Sequence, residues 1–189
     1  GAVGADADAA ELKGLLSAAG VYHNLFEVYG KPTTRKTRLL ANGHQLLRLD
    51  HECQTLTPRI EVITEQVQSL LAAGQVQGVI CSDYAKGFFD QVLAMRTLAT
   101  AKLHGIPVWV DAKPQHANWF AGATLYKPNL SEARELVSRL GLVHPVAGAG
   151  EDGPEAEWLA TAIGRQPFGV AATVVTAGSH GAAYYMAAS

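Results

Sequence analysis

Where the apolar run Val79-Ile80-Cys81 stops, the chain continues Ser82-Asp83-Tyr84-Ala85-Lys86-Gly87, which sets a carboxylate and an amine three residues apart. After a buried strand, that pair can hold a cation beside a sugar hydroxyl or phosphate while the carboxylate orients it. A solvated loop with an incidental ion pair has the same composition. In "KPNLSEA" (127–133), Asn129 or Ser131 can cap a helix with Glu132 in its first turn. Asn129 and Glu132, one turn apart, equally suit a hydrated Mg²⁺ near phosphates, because such a cation prefers hard oxygen ligands and keeps several waters. Both readings stand on the residues alone. In "VVTAGSHGA" (174–182), Thr176, Gly178 and Gly181 are small enough to let a flat base or phosphates approach the backbone; a plain hairpin turn looks the same. Finally, Lys36 and Arg38 in "PTTRKTRLLANGHQLLRLD" (32–50) alternate onto one face of a strand. They form either a clamp for an anion or a charged edge that discourages aggregation.

These residues need a scaffold, and the pattern supplies one. Residues 8–20 read as an amphipathic helix closed by Gly20. Asn42-Gly43 between two β-prone runs reads as the tight turn of an antiparallel ribbon. A helix capped at Thr57-Pro58 runs to Gly74, and the strand "VQGVICS" follows. Helices are then expected at 89–105, 129–141 and 154–164, and strands at 106–111, 123–128 and 169–178. Strands alternating with helices imply an α/β fold, a mostly parallel sheet with helices on both faces. In such sheets ligands bind outside the carboxyl ends of the strands. Four expected strands end in Ser82-Asp83, Asp111 with Lys113, Lys127-Pro128-Asn129, and Thr176-Ala177-Gly178, which predicts one shared cleft.

Other chemistries find little support. "GAGEDG" (148–153) matches Gly-x-Gly-x-x-Gly but lacks the strand before it and the helix packed directly on it that a dinucleotide site needs. There is no P-loop, "AGSHG" is not a nucleophile elbow, and "DHEC" (50–53) has no second pair at zinc-ligand spacing. With 15 Lys+Arg against 17 Asp+Glu and no long basic run, a nucleic-acid partner is not expected. No stretch approaches the ~18 apolar residues of a membrane span, and no signal peptide opens the chain. Cys53 and Cys81 stand apart, as free thiols of a cytoplasmic protein would. At 189 residues and 48% hydrophobic content, one domain is the default reading. The first residue is not Met and a β-like run stops at the last residues, so the chain reads as a piece of something longer.

In order and rough spacing, "PTTRKTRLLANGHQLLRLD", "SDYAKG", "VDAKP", "KPNLSEA" and "VTAGSHG" resemble the ribokinase-like (PfkB) carbohydrate kinases. The likeness is greatest to the D-glycero-β-D-manno-heptose-7-phosphate kinases, and the Pro-Thr-Thr-x-Lys-Thr-Arg ribbon makes it fairly specific. The resemblance implies a single ribokinase-like domain over 1–189, with a β lid at about 21–52, that transfers the ATP γ-phosphate to a sugar phosphate with Mg²⁺. It implies that Lys36 and Arg38 belong to the lid, a common dimer contact, and that Asp83 and Lys86 line the sugar-phosphate end. Asn129 and Glu132 match an Asn-x-x-Glu motif near Mg²⁺ and phosphates; Thr176, Gly178 and Gly181 match the nucleotide-side turn. The family's early Gly-Gly-Ala-Asn-type stretch and its Gly-Ala-Gly-Asp motif, which carries the catalytic base, are not in these residues, so this chain by itself is expected not to turn over. "VDAKP" has Ala112 and Pro114 where Pro and Gly are expected. Two other readings remain: a non-catalytic sugar-phosphate-binding or oligomerisation domain of the same fold, and a kinase for another phosphosugar.

Overall fold

The computed structural model describes residues 1–53, 60–143, 152–167 and 169–187. The chain divides into two compact units, Gly1–Ile60 with Lys86–Phe88, and Glu61–Ala85 with Phe89–Ser189.

In the first unit, β1 (Ala2–Gly4) and β2 (Phe26–Val28) pair in parallel and are joined by α1 (Ala7–Ala18). Neither strand is visible in the sequence, because three residues are too few to show a period. Asp6 caps α1, accepting from the Ala9 N–H at 2.9 Å, and also accepts from the Thr33 amide and hydroxyl, both at 2.7 Å. The Thr33 hydroxyl, first among these contacts, holds the Asp6 carboxyl below its ordinary pKa. One side chain thus fixes the helix start to the Pro-Thr-Thr approach to the ribbon. Gly4 is needed there, since a Cβ would sit 2.2 Å from the Lys31 carbonyl oxygen.

The ribbon is β3 (Arg35–Ala41) against β4 (His44–His51), turned by Asn42 (φ 49°) and Gly43 (φ 79°) as the sequence predicts. Register makes it two-faced. Lys36 opposes Asp50 and Arg38 opposes Arg48 on one side, while Thr37 opposes Leu49 and Leu39 opposes Leu47 on the other. An irregularity between Leu39 and Leu40 ends the alternation.

In the second unit, β5 (Val79–Asp83), β6 (Val108–Ala112), β7 (Leu125–Tyr126) and β8 (Ala172–Thr176) lie parallel in that order, and β9 (Ala182–Met186) adds antiparallel to β8. The helices are α2 (Ile60–Ala72), α3 (Gln91–Leu103), α4 (Leu130–Arg139) and α5 (Asp152–Gly164). Thr57-Pro58 and residues 148–151 of "GAGEDG" lie outside the described residues. The strands are shorter than expected where proline removes a donor: β6 starts after Pro107, and β7 ends before Pro128. A 3₁₀ helix over Pro114–Phe120 has no counterpart in the sequence reading. Cys81, Val110, Phe120, Tyr126, Leu159, Ile163 and Val175 fill the core.

Thr173 is fully buried on β8, and its hydroxyl has no hydrogen-bond partner among the described residues. An unpaired buried hydroxyl costs more than it returns, so Thr173→Val, nearly the same shape, is expected to raise stability by about 1 kcal/mol. A denaturant titration checks this; a lower midpoint for the variant would mean the hydroxyl is satisfied in solution.

Candidate active site

The strand-edge arrangement read from the sequence is present. Because β5, β6, β7 and β8 are parallel neighbours, Asp83, Asp111, Lys127 and Thr176 all lie at the carboxyl-end edge of one sheet. Two ion pairs cross that edge. Lys127 Nζ lies 3.2 Å from Asp111 Oδ2, and Lys113 Nζ lies 2.7 Å from Glu132 Oε1. Its hydrogen bond to Glu132 holds the Lys113 ammonium above the ordinary lysine pKa.

Asn129 and Glu132 form a capping box at the start of α4. Asn129 Oδ1 accepts from the Glu132 amide at 2.9 Å, and Glu132 Oε2 accepts from the Asn129 amide at 3.0 Å. The structural role weighed in the sequence is therefore filled, and it leaves room for the other. Both Glu132 oxygens carry one partner each, yet a carboxylate offers about four acceptor positions. Among the described residues no three His, Cys, Asp or Glu side chains converge into a metal cage. This donor set fits a Mg²⁺ held through its waters and completed by phosphate oxygens, rather than one stripped and enclosed by protein.

Beside the box, Asn129 and Thr176 form a parallel bridge, and the Thr176 amide donates to the Pro128 carbonyl at 3.1 Å. The chain then makes a 3₁₀ turn over Gly178–His180, closed by the Ala177 amide donating to the Gly181 carbonyl at 2.8 Å. Gly178 (φ 57°) and Gly181 (φ 84°) hold conformations that favour glycine, and a Cβ on either would meet nothing within 4 Å. The turn thus has a bare, open surface next to Asn129.

In the first unit, Lys36 and Lys86 converge on one carboxylate: Glu52 lies 2.7 Å from Lys86 Nζ and 3.9 Å from Lys36 Nζ. In the sequence Glu52 stands out only within "DHEC" (50–53), which has no second pair at zinc-ligand spacing. Its position just past the end of β4 was the available signal. Arg38 makes no ion pair among the described residues and faces Arg48, whose guanidinium lies 3.0 Å from Asp50 Oδ2, so the Asp50 carboxylate offsets part of the like-charge repulsion across the ribbon.

Asp83, which the resemblance sets at the sugar-phosphate end, is buried. Its side chain is 2% exposed, with Oδ1 accepting from the Ala85 amide at 2.8 Å and Oδ2 at 2.6 Å from His116 Nδ1. His116 itself stacks on Trp119, ring centroids 3.7 Å apart. No sequence motif announces either aromatic residue.

The pfkB family carbohydrate kinase model matches residues 1–188. D-beta-D-heptose 7-phosphate kinase of Bordetella bronchiseptica is 38% identical over 139 residues, which is 74% of this chain and 43% of that protein. The bifunctional protein HldE of Caulobacter vibrioides is 35% identical over 182 residues, 96% of this chain and 35% of its own length. The chain therefore spans less than half of these curated relatives. Among solved structures, phosphofructokinase-2 from Escherichia coli superposes with a TM-score of 0.69 at 18% identity, covering 100% of this chain and 59% of that one. Ribokinase from Giardia lamblia gives 0.66 at 16%, covering 98% and 55%. At those identities the structures speak for the fold, and the fold is the ribokinase-like α/β one. With a family match along almost the whole chain and the strand-edge geometry that the motifs imply, the chain belongs to the pfkB family of carbohydrate kinases.

Proposed function

We propose that the protein phosphorylates a sugar phosphate with ATP, and that the substrate is D-glycero-β-D-manno-heptose 7-phosphate, converted to the 1,7-bisphosphate. The observation that carries the substrate choice is the 38% identity to a D-beta-D-heptose 7-phosphate kinase. In the transfer, the anomeric hydroxyl oxygen bonds to the γ-phosphorus, the bond from that phosphorus to the β–γ bridging oxygen breaks, and ADP leaves with its electron pair. The base that takes the hydroxyl proton is not assigned to a residue of this chain. Positioning and charge neutralisation dominate such a step, and the assigned residues supply both. Lys36, Arg38, Asp83 and Lys86 are the residues assigned to the anionic sugar. Asn129 and Glu132 would hold the hydrated Mg²⁺, which would neutralise phosphate charge when bound, and the Thr176–Gly181 turn offers the nucleotide a bare backbone.

The test is ATP-dependent product formation by the full-length protein with heptose 7-phosphate. Lys86→Ala is expected to raise KM for the sugar about tenfold, since an ammonium on a phosphate contributes roughly one such factor. Unchanged kinetics would remove Lys86 from the site. Product from other phosphosugars but none from the heptose would overturn the substrate while leaving the family.

The ribbon carries a second part of the proposal, a homodimer. Leu39, Leu47 and Leu49 are all exposed on the face opposite Lys36 and Arg38, and Leu40 and Leu46 are exposed near the turn. Contiguous apolar surface of this kind marks an interaction site. Leu47→Glu is expected to convert dimer to monomer in sedimentation equilibrium; a wild-type monomer at tens of micromolar would rule the dimer out. Among the described residues neither cysteine forms a disulfide, and burial pushes the Cys81 thiol up to about 12, away from the reactive thiolate. Free thiols suit a cytoplasmic setting. Among the described residues no helix is long and apolar enough to cross a membrane.

A further inference from the structure

We infer that His116, on the 3₁₀ helix that follows β6, is a group presented to the sugar, and that Asp83 acts through it. This inference rests on the kinase reading above and names a sugar contact that the sequence motifs do not contain. Asp83 has no free reach: it is buried, and its two oxygens are spent on the Ala85 amide and on His116 Nδ1. A carboxylate only accepts, so Nδ1 is the donor, and in the neutral ring this leaves the Nε2 lone pair on the side away from Asp83.

The ring is fixed in two further ways. It lies on Trp119 at an interplanar angle of 11°, which leaves its edge rather than that face available. The Lys113 amide donates to the Asp83 carbonyl at 3.2 Å, which ties the start of the 3₁₀ helix to the end of β5. The side chain of His116 is 18% exposed, and Nε2 has no hydrogen bond among the described residues. It is not among the buried polar atoms left unpaired either, so it opens to solvent. The result is a rigid acceptor, held by a buried carboxylate and an indole, at the same strand edge as Lys113 and Glu132. Its chemical match is a hydroxyl of a polyhydroxylated substrate, which donates to Nε2. Such an arrangement gives specificity because a sugar that covers Nε2 without offering that hydroxyl takes away its water and leaves the acceptor unpaired.

The experiment uses full-length protein labelled with ¹⁵N at histidine. Long-range ¹H–¹⁵N spectra of the free protein are expected to show His116 protonated at Nδ1. Addition of D-glycero-β-D-manno-heptose 7-phosphate, without ATP, should shift its Nε2 signal. In steady-state assays, His116→Ala and Asp83→Asn are expected to raise KM for the sugar about tenfold alike, with kcat and KM for ATP unchanged. Sugar binding in calorimetry with His116 signals unmoved would overturn this inference alone. Absence of any heat with wild-type protein would overturn the sugar-kinase reading beneath it. Should either variant fail to fold, the spectra of the wild type still decide.

Discussion

Replacing Glu132 with Gln is expected to lower kcat about 100-fold while leaving the melting temperature nearly unchanged. The capping role of Glu132 and the metal role proposed for it separate because they use different properties of the side chain. Capping needs an oxygen that reaches the Asn129 amide, and Gln at the third helical position supplies one. Holding a hydrated cation against phosphates needs the charge, which Gln lacks. The stability lost with the charge is small. The pair with Lys113 involves an ammonium 40% exposed, worth at most about 1 kcal/mol after solvent screening, and the favourable charge at the helix start is worth a few tenths more. The kinetic loss, two factors of ten, corresponds to about 2.7 kcal/mol of transition-state stabilisation. Glu132→Ala removes both roles and should lower kcat and the melting temperature together. Steady-state kinetics and thermal melts on the full-length pair of variants check this. If the Gln variant turns over like wild type, Glu132 is a cap and nothing more.

The sequence made this site legible in part, and the division has a physical cause. Patterns that repeat were readable: the β/α alternation, the Asn42-Gly43 turn, and the two-faced ribbon whose even residues carry Lys36 and Arg38. Strand ends were readable because a run of Val and Ile stopping at Asp or Lys marks both burial and its limit, and β5 to β8 do lie side by side as that reading requires. Contacts made between distant segments were not. Nothing local to Asp83 says that its carboxylate will turn inward to His116, 33 residues on. Likewise Glu52 meets Lys86 across 34 residues. The Pro114–Phe120 3₁₀ helix was invisible for a different reason: it has no apolar period long enough to register, although Ala117 and Phe120 are both buried.

Tyr126→Ala is expected to destabilise the protein by about 3–5 kcal/mol, enough to unfold a marginal domain at physiological temperature. Tyr126 is 1% exposed and sits on β7, the shortest strand of the sheet, so its ring supplies much of that strand's hold on the core. Burial, followed by the nearby charges of Glu132, Asp111 and Glu135, pushes its ionisation far above the ordinary tyrosine range. The phenol stays neutral and donates to the Ala112 carbonyl at 3.0 Å. That bond ties the end of β6, where Asp111 lies, to the strand that leads directly into Lys127 and Asn129. The ring and the hydroxyl can be weighed separately. Tyr126→Phe keeps the volume and loses the hydrogen bond to the Ala112 carbonyl, which costs about 1 kcal/mol. At 25 °C it should remain folded, and any rise in its KM for ATP then reports the tie between the two strand ends rather than lost structure. Urea unfolding of the three proteins decides the matter: a Phe variant as unstable as the Ala one would place the stability in the hydroxyl, and an Ala variant as stable as wild type would contradict the buried position of the ring.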